Sequence, residues 1–199
     1  DVRSGKFDTI QLVDEATGIA FDQKGGGPLF YDPSGYVWGK SHTKQREGLL
    51  HRYSIAGKRA KSYQFTDYIR SFCRSPDGQL WLAFADSKER GKLARFDPAT
   101  GQATDYRNAD GSNPLSGRDG YFMASWNNGE IWIATNEQLV FVNANEGTAR
   151  VFGKGKELAQ QSSADDLLTI CKGNDGSVLF GTVGGGLNIL DPSTGNIQV

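Results

Sequence analysis

Four versions of one phrase recur along the chain: Asp32-Pro-Ser-Gly-Tyr-Val-Trp38, Ser75-Pro-Asp-Gly-Gln-Leu-Trp81, Trp126-Asn-Asn-Gly-Glu-Ile-Trp132 and Gly173-Asn-Asp-Gly-Ser-Val-Leu179. Their marker glycines, Gly35, Gly78, Gly129 and Gly176, stand 43, 51 and 47 residues apart. Apolar runs precede the later copies, as at residues 69–72, 121–124 and 167–170. A second phrase follows each marker: Leu49-Leu-His-Arg-Tyr53, Lys92-Leu-Ala-Arg-Phe96, Gln138-Leu-Val-Phe-Val142 and Gly186-Leu-Asn-Ile-Leu190. Turns close two of these plainly, Asp97-Pro-Ala-Thr-Gly101 and Asp191-Pro-Ser-Thr-Gly195. Asp or Asn bonds its own backbone, Pro presets φ and Gly accepts positive φ, so the chain reverses at low cost between apolar runs. A period of this length is the first thing a fold must satisfy.

A further run lies in each of the first three repeats, at residues 61–65, 103–107 and 149–152, making four short antiparallel strands per unit. That is the blade of a β-propeller. The fold class expected is all-β, with full four-stranded blades at residues 26–66, 67–108, 109–163 and 164–199 in one propeller domain. Residues 1–25 carry the turn Asp14-Glu-Ala-Thr-Gly18 between two apolar runs, and read as the last two strands of a preceding blade. A half blade leaves an unpaired edge, so the chain is expected to be a fragment of a larger propeller. A compact four-bladed ring with an N-terminal strand pair laid against it is the alternative.

Residues 167–195 resemble the two-component regulator propeller repeat, through Asn174-Asp-Gly-Ser-Val-Leu-Phe-Gly-Thr182 and Gly186-Leu-Asn-Ile-Leu-Asp-Pro-Ser-Thr-Gly195. Earlier blades share Asp77-Gly78, Leu80-Trp81, residues 93–101 and Ile131-Trp-Ile-Ala-Thr135. Departures are Leu179 in the Trp position, Lys40-Ser41 in place of Gly-Thr, and a weak second phrase at residues 137–147. The resemblance implies the periplasmic sensing part of a membrane-bound hybrid histidine kinase or related regulator, many of which respond to carbohydrates. Ser75-Pro-Asp-Gly-Gln-Leu-Trp81 and residues 93–101 also resemble the streptogramin-lyase type of propeller, which would supply a catalytic His and a metal-binding Glu. A WD40 reading fails because Trp-Asp does not close the third strand.

Charge narrows the partners. Twenty-two Lys and Arg against 23 Asp and Glu leave a formal charge of −1, without the basic field of a nucleic-acid binder. No apolar run reaches membrane-spanning length, and Asp1-Val2-Arg3-Ser4-Gly5 does not resemble a signal peptide. Glycine, 26 of 199 residues, serves many tight turns rather than a phosphate loop: no helix follows residues 25–27 or 184–186. Cys73 and Cys171 occupy equivalent strand positions two blades apart, too far for a disulfide, and are expected to be buried free thiols.

Blade geometry sorts the connections onto two faces. One holds the short Asp-Gly and Asp-Pro-x-x-Gly turns. The other holds residues 39–48, 85–91, 108–120 and 153–163, polar and unlike one another, and function on a scaffold favours irregular loops. Residues 40–61 contain seven Lys or Arg and one acid, Glu47, together with His42 and His51, so Lys40, His42 and Arg46 are candidates for an anionic ligand. Asp67, Asp119, Asp165 and Asp166 precede first strands and would form a polar ring, or else cap free backbone N–H groups. Trp38, Trp81 and Trp132 recur at one repeat position and are expected to pack blade against blade, whereas Tyr68, Tyr121 and Trp126 do not recur and are candidates for stacking on a sugar. His42 and His51 lack clustered acids or cysteines, residues 108–113 do not match a calcium loop, and no Ser, His and acid set can be argued from spacing.

The expectation is therefore a non-enzymatic periplasmic sensor module, the ectodomain of an inner-membrane protein, with no cofactor, metal or catalytic residue. Its partners would be a small molecule, an oligosaccharide being favoured, a downstream membrane-linked signalling domain and a second copy of the chain as a homodimer. The alternatives are a lyase-like enzyme, which would need His42 or His51 for metal-dependent turnover, and a protein-interaction scaffold.

Overall fold

The computed structural model describes residues 11–20, 29–45, 47–86, 90–136, 138–153, 167–183 and 185–198. Every regular element among them is a β-strand. The chain divides into two compact units, Asp1–Ile69 and Arg70–Val199. Arg46, Asp165 and Asp166 lie outside the described residues, as does most of the connection at 153–163.

In the first unit, β2 (Phe30–Asp32), β3 (Tyr36–His42), β4 (Gly48–Ser54) and β5 (Arg59–Phe65) form a consecutive antiparallel sheet. A short β1 (Val13–Asp14) adds a fifth strand, parallel to β5 through Val13↔Arg59 and Asp14↔Ala60. The Asp14 to Gly18 turn forms as its residues dictate: Gly18 N–H donates to Asp14 O at 2.9 Å, with φ +69° at Gly18. Trp38 lies flat between Phe30 and Tyr63, with centroids 6.5 and 6.2 Å away, so one wide ring fills the space over three strands.

The second unit contains three four-stranded sheets in strict chain order. These are β6 (Tyr68–Arg74), β7 (Leu80–Asp86), β8 (Arg90–Asp97) and β9 (Gln102–Asp105); β10 (Gly120–Asn127), β11 (Glu130–Thr135), β12 (Leu139–Asn143) and β13 (Thr148–Phe152); and β14 (Leu167–Lys172), β15 (Val178–Thr182), β16 (Gly186–Leu190) and β17 (Ile197–Gln198). β6 begins at the boundary between the units. The four marker glycines all sit at positive φ, between +73° and +95°, as the turn chemistry required. At Asp97 and Asp191 the carboxylates accept from the N–H two residues on and from the Thr hydroxyl three residues on. These bonds hold both carboxyls below the usual range, that of Asp191 at about 2, with the Ser193 hydroxyl the largest influence.

Alternation within each strand gives each sheet two apolar faces, and the sheets stack through them. Trp81, Ala83 and Leu93 meet Ile131, Ile133 and Val140 of the next sheet. On its other face that sheet presents Trp132, Ala134 and Leu139 to Leu167, Val178 and Phe180. Trp81 and Trp132 therefore pack sheet on sheet, as their recurrence implied, and each such burial contributes roughly 2–3 kcal/mol. Sheets of this order and packing are propeller blades.

Three expectations need correction. Of the connections at 39–48 and 85–91, residues 39–42, 48, 85–86 and 90–91 are strand, because the hairpins extend to His42 and Gly48 and to Asp86 and Arg90. That places Lys40 and His42 on β3 rather than in a loop. Cys171 is exposed, while Cys73 is buried. The two thiols hold the same strand position, but the face of β6 bearing Cys73 is covered by the following sheet, whereas no described residue of the second unit covers the face of β14 bearing Cys171. Leu187 marks the same difference: it is 60% exposed where Leu93 and Leu139, paired one strand over in the same register, are 0%. Burial also pushes the Cys73 thiol up to about 12. A maleimide added to the folded chain is therefore expected to modify one thiol quickly, at Cys171, and the second only after denaturation. Equal rates at both would contradict this packing.

Candidate functional site

The side chains singled out in the sequence gather into two clusters at the sheet edge opposite the Asp-Gly turns, one in each unit. In the first unit, Lys40 and His42 project from the end of β3 on one side of the strand. The Lys40 ammonium lies 5.3 Å from the Tyr68 ring centroid, and His42 meets the same ring edge-on at 5.2 Å. The chain is drawn tight beside them, where Gly48 N–H donates to Asp67 O at 3.1 Å. Gly48 cannot be replaced, because a Cβ there would meet the Asp67 carbonyl oxygen and Ile69 Cγ1 at 2.5 and 2.8 Å. This cluster offers one cation, one imidazole and one aromatic face. The basic stretch at 40–61 is not a uniform patch, since Arg52 lies over Tyr36 and Lys61 over Tyr63, and Arg52 also pairs with Glu15 at 3.4 Å.

In the second unit, Asp119 and Tyr121 flank Gly120 at the start of β10. Gly120 pairs with Thr135 and Phe122 with Ala134, so Tyr121 is the extra residue of a β-bulge. A bulge turns its extra side chain out of the ladder and re-aims it. Tyr121 is 38% exposed in consequence. The bulge is anchored where Ser71 Oγ donates to Gly120 O at 2.7 Å in a buried setting. Beside it, Arg70 Nη2 donates to Asp119 Oδ2 at 3.2 Å and its guanidinium stands 5.5 Å from the Tyr121 ring. Arg70 thus holds the carboxylate and the ring in one fixed relation, an arrangement that sets a guanidinium, a carboxylate and a flat apolar face side by side.

Arg70 escaped the sequence reading. It lies on an apolar run and no repeat phrase contains it; the glycine before Tyr121 was the one available signal, since Gly in a strand marks a bulge. Trp126 lies about 16 Å along β10 from Tyr121, at the β10–β11 turn, and packs on Trp132 at 6.1 Å. The structure does not bring it to the cluster. Asp67 stands in the two-residue connection before β6, with its carbonyl engaged by Gly48.

His51 lies inside the sheet. It is 0% exposed, with Nε2 2.6 Å from Ser41 Oγ and Nδ1 2.9 Å from Ser62 Oγ. Burial lowers its pKa to about 4. Both ring nitrogens are occupied, so the residue is not presented to a metal or substrate. Its counterparts in the later sheets, by pairing register, are Ala94, Val140 and Asn188, so a histidine is no requirement of the repeat. Among the described residues no group of three or more His, Cys, Asp or Glu is placed to hold a metal.

No sequence-family model matches the chain, and neither does any curated protein sequence. Solved structures do share its fold. The extracellular domain of BT4673 from B. thetaiotaomicron, described as a hybrid two-component system, matches over 98% of this chain and 25% of its own, with 18% identity and a TM-score of 0.58. That of BT3049 from the same organism, described likewise, matches over 89% and 23%, with 17% identity and a TM-score of 0.54. Puromycin hydrolase matches over 86% and 28%, with 16% identity and a TM-score of 0.58. At these identities the likeness establishes the propeller fold, and it fits the repeat family that the residues resemble. The chain spans about a quarter of the length of these three solved chains.

Proposed function

We propose that this chain is part of the periplasmic ligand-sensing propeller of a two-component-type signalling protein, and that it binds rather than transforms its ligand. The observation that carries the reading is the shared fold with extracellular domains of hybrid two-component systems, over nearly the whole chain. The loop-edge clusters support it. Arg70, Asp119 and Tyr121 offer what a carbohydrate takes: a carboxylate and guanidinium for hydroxyl groups and a ring for an apolar sugar face. Of the two histidines a lyase reading would use, His51 is enclosed and bonded on both nitrogens, and His42 packs edge-on against the Tyr68 ring with no group of three metal-ligating side chains among the described residues.

The open face of the last sheet belongs to the same reading. We assign it to a further blade of the same repeat. The face repeats a register twice covered by a following sheet in this unit, and the extracellular domains of BT4673 and BT3049 are about four times as long as this chain. Cys171 on that face serves as reporter, and in the protein taken from its source it is expected to resist the maleimide that modifies it in the isolated 199-residue chain.

Calorimetric titration of the protein with a panel of neutral and acidic oligosaccharides tests the ligand. Saturable binding of at least one is expected, weakened at least about tenfold by Tyr121→Ala or Arg70→Ala. Binding that both variants leave unchanged would remove the site from this cluster, and a panel without any binder would leave the scaffold reading in its place.

A further inference from the structure

A groove of about 350 Å³ runs along the outer strands of the β6–β9 sheet, away from the loop-edge clusters, and lies wholly within the second unit. One wall is Arg95 on β8 with Tyr106 and Arg107 after β9; the other is Ala109 and the β12–β13 turn at Ala144 and Gly147. The walls are fixed to each other. Ala109 N–H donates to Gly147 O at 2.7 Å, and Gly147, at φ +68°, lets the turn come so close that a Cβ there would meet Ala109 Cβ at 2.9 Å. Such a groove is built rather than a chance dent between mobile loops.

Its chemistry is specific. Arg95 lies over the Trp81 ring at 5.0 Å and the Tyr106 ring at 5.5 Å, which orients the guanidinium plane while its N–H groups have no acceptor among the described residues. Tyr106 is 7% exposed, and its hydroxyl is buried with no hydrogen-bond partner. A buried hydroxyl left unpaired is costly. The carboxylate on the lining, Asp105, is paired with Lys92 at 3.4 Å and does not neutralise Arg95. We propose that this groove is a binding site for a small oxyanion, a carboxylate or phosphate group, gripped by the Arg95 guanidinium and by the Tyr106 hydroxyl as donor. A guanidinium held flat by aromatic rings presents paired donors at the spacing of two oxyanion oxygens, and the phenol supplies a third donor. Burial raises the Tyr106 pKa, with Arg95 opposing it, so the phenol keeps the proton that it donates.

The site does not rest on the sensor reading, and its test uses different residues and ligands. Backbone amide spectra of the whole protein are recorded during titration with sodium acetate and, separately, sodium phosphate, with ionic strength held constant by sodium chloride. Saturable shifts at the Ala109 and Gly147 amides are expected, and the tighter of the two anions identifies the group. Arg95→Gln should weaken binding about tenfold, and Tyr106→Phe several-fold. Tyr106→Phe should leave the thermal midpoint of the free protein unchanged or raised, because it removes an unpaired buried hydroxyl and little else. Shifts that stay linear with both anions, or affinities that neither variant alters, would overturn the proposal.

Discussion

Acidification from pH 7 to pH 4 is expected to cost the protein about 3 kcal/mol of stability through one residue, His51. Burial between Ser41 and Ser62 takes its pKa from 6.5 to about 4, so the folded state holds the imidazole neutral. The unfolded chain therefore binds the proton first as pH falls. Stability from this group is whole above pH 6.5, declines through the window from 6.5 to 4, and is fully lost below it. The carboxylates act elsewhere. Asp14, Asp97 and Asp191 have lowered pKa values, so their contribution is present above about pH 4 and is lost further down, for Asp191 as pH falls through about 2. Urea denaturation at pH 7, 5.5 and 4 separates the windows. His51→Asn, which installs the residue found in this slot of the last sheet, is expected to flatten the profile between pH 6.5 and 4 while leaving the lower limb intact. Parallel profiles for the two proteins would show that His51 does not carry the charge.

Gly91→Ala is expected to be the most damaging small substitution in the second unit, destabilising it by at least about 3 kcal/mol. Gly91, the second residue of β8, lies beneath the connection between β9 and β10. A methyl group there would enter the carbonyl oxygen of Arg118 and approach that of Leu115 at 2.7 Å. Both are backbone atoms of a segment secured elsewhere, by Asn113 Nδ2 donating to Gly91 O at 2.7 Å and by Arg118 Nε donating to Gln138 Oε1 at 2.7 Å. The segment cannot retreat without breaking those bonds and lifting Leu115, which is fully buried, out of the core. Because Asp119 and Tyr121 follow directly, the damage should extend to the loop-edge cluster. Thermal unfolding of Gly91→Ala beside Gly111→Ala isolates the clash from the loss of glycine. Gly111 lies in the same connection at φ +81° with open space around it, and its substitution should cost about 1 kcal/mol. Equal losses would show that the close approach carries no weight.

Much of the fold was legible because turn chemistry is local. Asp, Pro and Gly within a few residues determine a reversal whatever lies around them, and the marker glycines take the positive φ that their spacing implied. Alternation then gave each strand its faces, and the recurrence of Trp81 and Trp132 located the packing between sheets. Less of the site was legible. Tyr121 was visible as a departure from the repeat and Asp119 as one of the acids that precede first strands, but the bulge that aims Tyr121 depends on how β10 registers with β11, and Arg70 became relevant only when β6 was laid beside β10.

Composition, period and turn residues by themselves determined that this chain forms blades of four antiparallel strands, since those signals act over four or five neighbours. Tertiary structure alone decided which of two equivalent cysteines is exposed, that His51 is enclosed rather than offered, and that Arg70, Asp119 and Tyr121 stand together. Each of those outcomes depends on what another sheet or strand places against the residue. A repeat writes nearly the same local instructions in every copy, and the differences that matter for binding arise where the copies meet different neighbours.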